Sequence, residues 1–194
     1  MTTFTPRRAA RVLLVDGTDR VLLFREFDPA RPEHRYWLTP GGGLDGDESP
    51  ATGAARELAE ETGLRLTPDE LGEPVWQQTI EFSFDGQWYR QEQVFFLVRV
   101  PTWEVDTTGF TEVERACVEG HRWWTVEELA RTVDRIYPED LTGILRGALD
   151  GATEADPVVP PAGLGIRVDA EAAVDTAAPV DGDGRVAREG EERC

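Results

Sequence analysis

The most constraining feature of this sequence is a glycine-rich stretch that leads into a helix with clear signals at both ends. Three consecutive glycines at 41–43 precede Ser49 and Pro50, and the following segment closes at Gly63. Serine is a favoured N-cap, proline suits the first helical position, and glycine suits the residue after the last turn. The sequence therefore predicts a helix over residues 50–62 that follows a glycine loop.

Three glutamates share one face of this predicted helix. At about 100° per residue, Glu60 lies about 60° to one side of Glu57, and Glu61 lies about 40° to the other side. Leu58 and several alanines occupy nearly the opposite side, which we expect to face the core. Like charges at these spacings destabilise a helix, so we expect a cation to compensate them.

The glutamates and the glycine loop together indicate a centre for metal-assisted chemistry. Mg²⁺ prefers oxygen ligands and takes carboxylates together with phosphate oxygens. Glycine lets the backbone approach an ion or a phosphate closely because it has no Cβ. We interpret the segment as a site acting on a phosphate ester or anhydride. The alternative interpretation is an ordinary solvated, charged helix face.

Both hydrophobic periods occur in residues 1–149, which favours one α/β domain with a mixed sheet. Two hairpins are predicted, in which 12–15 pairs with 21–24 and 75–84 pairs with 88–100. A capping box predicts a helix from Thr125 through Val133. An apolar stripe predicts a last helix that starts near Pro138.

Residues 150–194 differ in composition from the predicted domain. They contain no Phe, Tyr or Trp and carry eleven acidic against four basic side chains. Such a segment buries too little apolar surface to offset the entropy of ordering it. We expect an acidic, disordered tail rich in Pro, Ala and Gly. An extra strand over 164–168, docked on the domain edge or on a second subunit, is the alternative.

The charge of the chain argues against several partners. The formal net charge is −18, from 38 Asp and Glu against 20 Lys and Arg, and such a surface repels nucleic-acid backbones and anionic lipid. The two cysteines, Cys117 and Cys194, suggest neither a disulfide framework nor a zinc site. No stretch approaches membrane-spanning length or resembles a signal peptide. We therefore expect a cytoplasmic protein that binds neither nucleic acid nor membrane.

One motif carries a resemblance to a known family. Gly42 is followed after five residues by Glu48, and after seven more by the run Arg-Glu-Leu-Ala-Glu-Glu-Thr-Gly-Leu at 56–64. This pattern resembles the Nudix box, the motif of the MutT-like hydrolases, at every fixed position. We extend the resemblance over about residues 8–149. It implies a Nudix-type α/β/α sandwich with a mixed β-sheet.

The resemblance also implies an activity and a set of site residues. The activity is hydrolysis of the pyrophosphate linkage of a nucleoside diphosphate derivative, a small-molecule nucleotide, with Mg²⁺ or Mn²⁺. The implied metal ligands are Glu57, Glu60, Glu61 and the carbonyl group of Gly41. Arg56 would orient Glu57 through a charge-assisted hydrogen bond, and Glu48 would support the loop or the site.

The general base and the phosphate contacts are less defined by the sequence. Either Glu61 or a glutamate from a downstream loop can serve as the base. The loop offers Glu112, Glu114 and Glu119, of which we favour Glu114 because it lies beside the strand end expected to approach the helix. Three arginines are predicted as phosphate contacts, with salt bridges as the alternative: Arg25, Arg35 and Arg90.

The sequence leaves the substrate open. The residues after the motif lack the proline typical of ADP-ribose enzymes and the tyrosine typical of dinucleoside polyphosphate enzymes. A Nudix-fold sensor that binds a nucleotide without turnover is the alternative function. An isomerase acting on an isoprenoid diphosphate is disfavoured because no cysteine lies near the motif. Relatives commonly dimerise, so a homodimer is a further expectation.

Overall fold

A computed structural model of the protein describes residues 3–151 and 166–167. Its strands are β1 (Thr5–Val15), β2 (Val21–Asp28), β3 (Arg31–Leu38), β4 (Gly41–Gly43), β5 (Trp76–Phe84), β6 (Gln87–Arg99), β7 (Val118–Trp124), β8 (Ile136–Tyr137) and β9 (Ile166–Arg167). Its helices are α1 (Pro50–Thr62), α2 (Glu112–Cys117), α3 (Val126–Leu129) and α4 (Leu141–Asp150), with a 3₁₀ turn at Pro68–Leu71.

The strands form one mixed sheet. Its order is β8-β3-β2-β1-β6-β5-β9, while β4 pairs with β1 and β7 pairs with β2. β1 lies in the centre and runs parallel to β6 from Thr5 opposite Tyr89 to Val15 opposite Arg99. The two predicted hairpins are present, because β1 pairs antiparallel with β2 and β5 pairs antiparallel with β6.

Two hydrophobic clusters cover the two faces of this sheet. Residues at alternate positions of β1 point to opposite faces, so Leu14 joins the cluster beneath α1 whereas Leu13 joins the cluster beneath α4. β2 does the same, with Leu22 in the first cluster and Leu23 in the second. The layers are therefore helix, sheet and helix, and the predicted α/β/α sandwich with a mixed sheet is confirmed.

The two C-terminal helices are shorter than the sequence predicted. The capping box at Thr125 is present, but α3 ends at Leu129 and does not continue to Val133. Leu129 is the last buried side chain of that helix and Val133 is fully exposed, so no apolar contact extends the helix. α4 begins at Leu141 and not near Pro138, whose carbonyl oxygen accepts a turn hydrogen bond from the Leu141 N–H.

Most of the predicted tail lies outside the described residues. Asp150 closes α4, and Ile166–Arg167 forms β9, which pairs parallel with β5 opposite Ile80 and Glu81. This short strand falls within the segment 164–168 for which docking on the domain edge was the alternative. Within the described part of the chain, no helix is long and apolar enough to cross a membrane.

Candidate active site

The helix α1 forms with the bounds and caps that the sequence predicts. The Ser49 side chain accepts a hydrogen bond from the Thr52 N–H at 3.1 Å, Pro50 opens the helix, and Gly63 closes it in the left-handed region at φ 73°. Leu58 is fully buried against the sheet. The apolar face of the helix therefore packs on the sheet, and the acidic residues of the helix lie beside the loop that contains β4.

Two glycines of β4 allow that loop to lie against the carboxylates of α1. Gly41 has φ +124°, and a Cβ there would lie 2.2 Å from the carbonyl oxygen of Ala10. A Cβ on Gly42 would lie 2.6 Å from Glu57 Oε1. The Gly41 N–H donates to Glu61 Oε2 at 2.7 Å. The backbone contact requires glycine at position 41, whereas a Cβ at position 42 would displace the Glu57 carboxylate. The loop also orients the Glu61 carboxylate directly.

Three carboxylates converge beside this loop. Glu57 and Glu61 of α1 and Glu114 of α2 each place an oxygen within 4.8 Å of the other two. Glu57 and Glu61 are buried, with 7% and 6% of their surface exposed, and Glu114 is half-buried. α2 reaches this position because it continues directly into β7, which pairs with β2.

The electrostatics of this carboxylate cluster fit a divalent cation. Burial raises the pKa of Glu61 well above its ordinary value, and the charges of Glu57 and Glu26 raise it further. Burial also raises the pKa of Glu57, against the opposing charge of Arg56. Buried carboxylates of this kind are stabilised by pairing or by a metal. An all-oxygen donor set is the set that Mg²⁺ and Mn²⁺ prefer.

Arg56 connects the loop to the carboxylates. Its guanidinium donates to both oxygens of Glu48, at 3.2 and 3.0 Å, to Glu57 Oε1 at 2.9 Å and to the Gly43 carbonyl oxygen at 3.0 Å. The hydrogen bonds from Arg56 lower the pKa of Glu48, and Glu48 in turn raises that of Arg56. Glu48 Oε2 also accepts from the Asp45 N–H at 3.1 Å. Arg56 thus contacts Glu57, the carboxylate that the resemblance implies it orients.

The comparison with protein families decides the assignment. The family model for the NUDIX domain matches residues 5–142, which is more than half of the chain. The chain belongs to the Nudix family. The resemblance seen in the sequence is confirmed, and α1 with its preceding loop is the Nudix motif of this chain.

Several relatives and solved structures resemble this Nudix chain. It is 42% identical over 60 residues to the m7GpppN-mRNA hydrolase NUDT17 of Danio rerio, covering 31% of this chain but 20% of that protein. It is 28% identical over 140 residues to the RNA pyrophosphohydrolase of Dinoroseobacter shibae, covering 68% of this chain and 82% of that protein. The crystal structure of the MutT protein from Methanosarcina mazei Go1 superposes with a TM-score of 0.54 at 18% identity, covering 80% of this chain and all of that one.

Not every residue predicted for the Nudix site joins the carboxylate cluster. Glu60 of α1 lies outside the group of three, and its Oε2 accepts from Arg56 at 3.3 Å. Of the loop glutamates, Glu114 enters the cluster while Glu112 is exposed. The predicted phosphate contacts form ion pairs: Arg25 with Glu119 at 3.3 Å, Arg35 with Glu119 at 2.8 Å and Arg90 with Glu81 at 2.5 Å.

A fourth carboxylate near the Nudix site is missing from the sequence prediction. Glu26 lies on β2, and its charge raises the pKa of Glu61. Burial raises the pKa of Glu26 itself to about 7, with Glu114 adding to the shift and Arg11 opposing it. The signal in the sequence is an acidic residue between Arg25 and Phe27, in a strand whose first four residues, 21–24, are apolar.

A cavity on the α4 side of the sheet adjoins this site and was also missed. Polar, charged and aromatic side chains of β1, β3, β5 and β6 line it, among them Arg11, Tyr36, Gln78, Phe82 and Gln91. The lining also includes Thr39, two residues before Gly41. The available signal in the sequence was the presence of glutamines within two predicted strands, at positions of the strand face that turns to the core. Such positions are usually apolar.

Proposed function

We propose that this Nudix chain is a divalent-metal-dependent hydrolase that cleaves the pyrophosphate linkage of a nucleoside diphosphate derivative. The observation that carries the proposal is the convergence of Glu57, Glu61 and Glu114 within 4.8 Å. Two of these carboxylates are buried, and a chain that only binds nucleotides has no need to concentrate buried anions where a phosphate must approach.

The residues of the site have distinct proposed roles. Glu57 and Glu61 hold the metal, together with Glu60 and the carbonyl group of Gly41 as further ligands. Bound Mg²⁺ or Mn²⁺ supplies Lewis-acid stabilisation of the charge on the phosphate oxygens. Arg56 fixes the orientation of Glu57, and its partner Glu48 holds the loop against the helix.

Glu114 is the proposed general base. Thr111 is the N-cap of α2, and its N–H donates to Glu114 Oε2 at 2.6 Å, which fixes the carboxylate at the edge of the cluster. A base held by one oxygen keeps its other oxygen free to accept a proton from the attacking water. Glu61 is the alternative base, but its Oε2 already accepts the Gly41 N–H and its carboxylate is the proposed metal ligand.

The test is a hydrolysis screen with Mg²⁺, Mn²⁺ or EDTA present. The panel contains nucleoside triphosphates, nucleoside diphosphate sugars, dinucleoside polyphosphates and, because one relative is named RNA pyrophosphohydrolase, an RNA oligonucleotide with a 5′-triphosphate. We expect metal-dependent release of phosphate, pyrophosphate or a nucleoside monophosphate. Binding of a nucleotide without turnover of any member would contradict the proposal and favour the sensor alternative.

Glu61→Gln tests the metal assignment once a substrate is found. The variant removes a charged ligand with little change of shape, so we expect kcat to fall at least ~1000-fold, a loss of about 4 kcal/mol in transition-state stabilisation. Glu112→Gln is the matched control, because Glu112 is exposed and outside the cluster. An E61Q variant as active as the parent would refute the assignment.

A further inference from the structure

The cavity beside the Nudix site contains most of the unpaired buried polar atoms of the described residues. Among the described residues, seven buried side-chain nitrogen or oxygen atoms have no hydrogen-bond partner in the protein, and five of them belong to Arg11, Thr39, Gln78 and Gln91. All four residues line this cavity. Its volume is about 80 Å³, well above the roughly 10–15 Å³ that one water molecule needs on the same measure.

The glutamines of this cavity form an ordered group on two neighbouring strands. Gln78 of β5 lies opposite Gln93 of β6, and Gln91 Nε2 donates to Gln93 Oε1 at 2.9 Å. That bond fixes the Gln91 amide and leaves its Oε1 as a free acceptor. Gln78 is 8% exposed, and both polar atoms of its amide lack a protein partner.

A buried amide with two unpaired atoms is costly unless bound water or a ligand supplies the missing hydrogen bonds. Removal from water without compensating hydrogen bonds destabilises the folded protein, and an apolar side chain would fill the same position without that cost. The unpaired atoms of the cavity include donors, on Arg11 Nε and Gln78 Nε2, and acceptors, on Gln78 Oε1 and Gln91 Oε1. The complementary ligand therefore carries both acceptors and donors.

The remaining walls of the cavity suit a flat ring. Aromatic side chains of Tyr36, Phe82 and Tyr137 line it, and the Tyr36 and Tyr137 rings lie 5.5 Å apart between centroids. Aromatic faces pack well against planar heterocycles, and ligand pockets typically combine apolar walls with a few convergent polar groups. The rings of Tyr36 and Tyr137 are tilted by 57° and pack on each other, so they form one aromatic wall of the cavity. A heterocycle packed against that wall would present its polar edge to the glutamines.

The cavity lies next to the proposed hydrolytic centre. Arg11 lines it and donates to the Thr39 carbonyl oxygen at 3.0 Å. Thr39 lies two residues before Gly41, and the Gly41 N–H donates a hydrogen bond to Glu61. Two residues span less than about 8 Å of chain. The cavity lies on the α4 face of the sheet and the carboxylates belong to α1 on the other face. A nucleotide with its base in the cavity would therefore reach the carboxylates with its phosphates past Thr39 and the loop that contains Gly41.

We propose that Gln78 is a specificity-determining residue that binds the polar edge of the substrate's nucleobase within this cavity. The proposal rests on the proposed function, since it assigns the base of that same substrate. A glutamine amide pairs with a base edge on which a donor adjoins an acceptor. Gln91 Oε1 accepts from a further donor of the base, and Arg11 Nε donates to a further acceptor.

The first test is the base preference of Gln78→Met. Methionine has a similar length and shape but no amide, and Gln77→Met on the exposed face of β5 is the matched control. With the four ribonucleoside triphosphates as probes, we expect the parent to prefer one base and Q77M to retain that preference. In Q78M we expect kcat/KM for the preferred nucleotide to fall about 10- to 100-fold, so that the four nucleotides become similar substrates.

The opposite results overturn the inference. They are an unchanged base preference in Q78M, an equal fractional loss for all four nucleotides, or a parent without any base preference. If Q78M does not fold, Gln78→Asn replaces it in the test. Asparagine keeps the amide but is shorter by one methylene group, so we expect the same loss of base preference. Thermal unfolding distinguishes a ligand-binding role of Gln78 from a structural one. If the amide serves a ligand, Q78M should have a Tm at least as high as that of the parent, whereas a structural role predicts a lower Tm.

A binding measurement separates this inference from the proposed function. The probes are the four ribonucleoside 5′-monophosphates, titrated calorimetrically into the parent, Q78M and Q77M. If the parent binds one monophosphate selectively, Q78M loses that selectivity and the protein hydrolyses no substrate, the result contradicts the proposed hydrolysis and supports the role of Gln78. Metal-dependent hydrolysis with equal monophosphate affinities in parent and Q78M supports the hydrolysis and overturns the role of Gln78.

Discussion

At the scale of single residues, Arg56 holds the loop, the helix and the carboxylates in one arrangement. Its side chain is 28% exposed, and its guanidinium donates hydrogen bonds to Glu48, Glu57, Glu60 and the Gly43 carbonyl oxygen. Arginine suits this position because its planar group offers five donors in a fixed geometry. Lysine would carry the same charge but could not make these contacts together.

Replacement of this arginine should affect both stability and activity. In Arg56→Met, Glu48 and Glu57 lose their shared cation, so we expect the free energy of unfolding to fall by about 2–4 kcal/mol. Activity should be lost as well, because Glu57 is no longer oriented. Denaturant unfolding and kinetics measure the two effects, with exposed Arg65→Met as the control. An R56M variant with the stability of R65M would contradict this prediction.

The buried carboxyls predict a link between metal binding and pH. A carboxyl whose pKa is raised on folding favours the folded state at low pH, and this contribution is lost as the pH rises from the ordinary value through the raised one. Glu57 and Glu61 both have raised pKa values. Without metal, these two groups should therefore destabilise the protein more at about pH 8 than at about pH 5.

Addition of Mg²⁺ should relieve that penalty. We expect Mg²⁺ to raise the Tm measured in EDTA more strongly at the higher pH, because the ion binds the ionised carboxylates. Asp16 does not contribute in this pH range. Burial raises its pKa, but hydrogen bonds from Arg20 and Thr18 outweigh burial and lower the pKa to about 2. Its contribution to stability therefore changes only below about pH 4. An equal rise of Tm at both pH values, or in E61Q, would argue against a metal at this cluster.

At the scale of elements, the contact between β4 and α1 sets the position of the carboxylates. Gly42→Ala would place a Cβ 2.6 Å from Glu57 Oε1, so the carboxylate must move. A shift of about 1 Å can lower catalysis roughly 100-fold, and we expect a loss of kcat/KM of that order with a folded protein. Gly120→Ala is the control, since nothing lies within 4 Å of its Cβ position. Equal kinetics for the two variants would refute the role of the contact.

The elements also show what the sequence could predict. Local signals determined α1 completely, because its cap, its first proline and its closing glycine act within the helix itself. The same local reasoning overextended the helix after Thr125, where the limit is set by burial of Leu129 against other elements. Helix geometry grouped Glu60 with Glu57 and Glu61, but the nearby Arg56 engages Glu60 outside the cluster.

Long-range features of the site were less accessible. Glu114 was one of three loop glutamates, and only the pairing of β7 with β2 brings α2 to the cluster. Gln78 and Gln91 lie on two different strands and far along the chain from Thr39. The three residues line one cavity only because of the order of the strands in the sheet. The homodimer, the cytoplasmic location and the disordered tail stay predictions.

At the scale of the whole molecule, β1 and β2 supply side chains to both hydrophobic clusters. Leu14 and Leu22 belong to the cluster beneath α1, while Leu13 and Leu23 belong to the cluster beneath α4. Truncation of either layer at its centre leaves a cavity that costs about 2–5 kcal/mol. We therefore expect Leu58→Ala beneath α1 and Leu145→Ala in α4 to lower Tm by similar amounts.

Because the same two strands run through both halves of the interior, neither half can melt while the other stays intact. Unfolding should be a single all-or-none transition in which tryptophan fluorescence and far-ultraviolet circular dichroism change together. The nucleobase cavity and the acidic centre on this sheet would then be lost at one temperature, so a partly denatured protein that still recognises a base but no longer hydrolyses it should never accumulate.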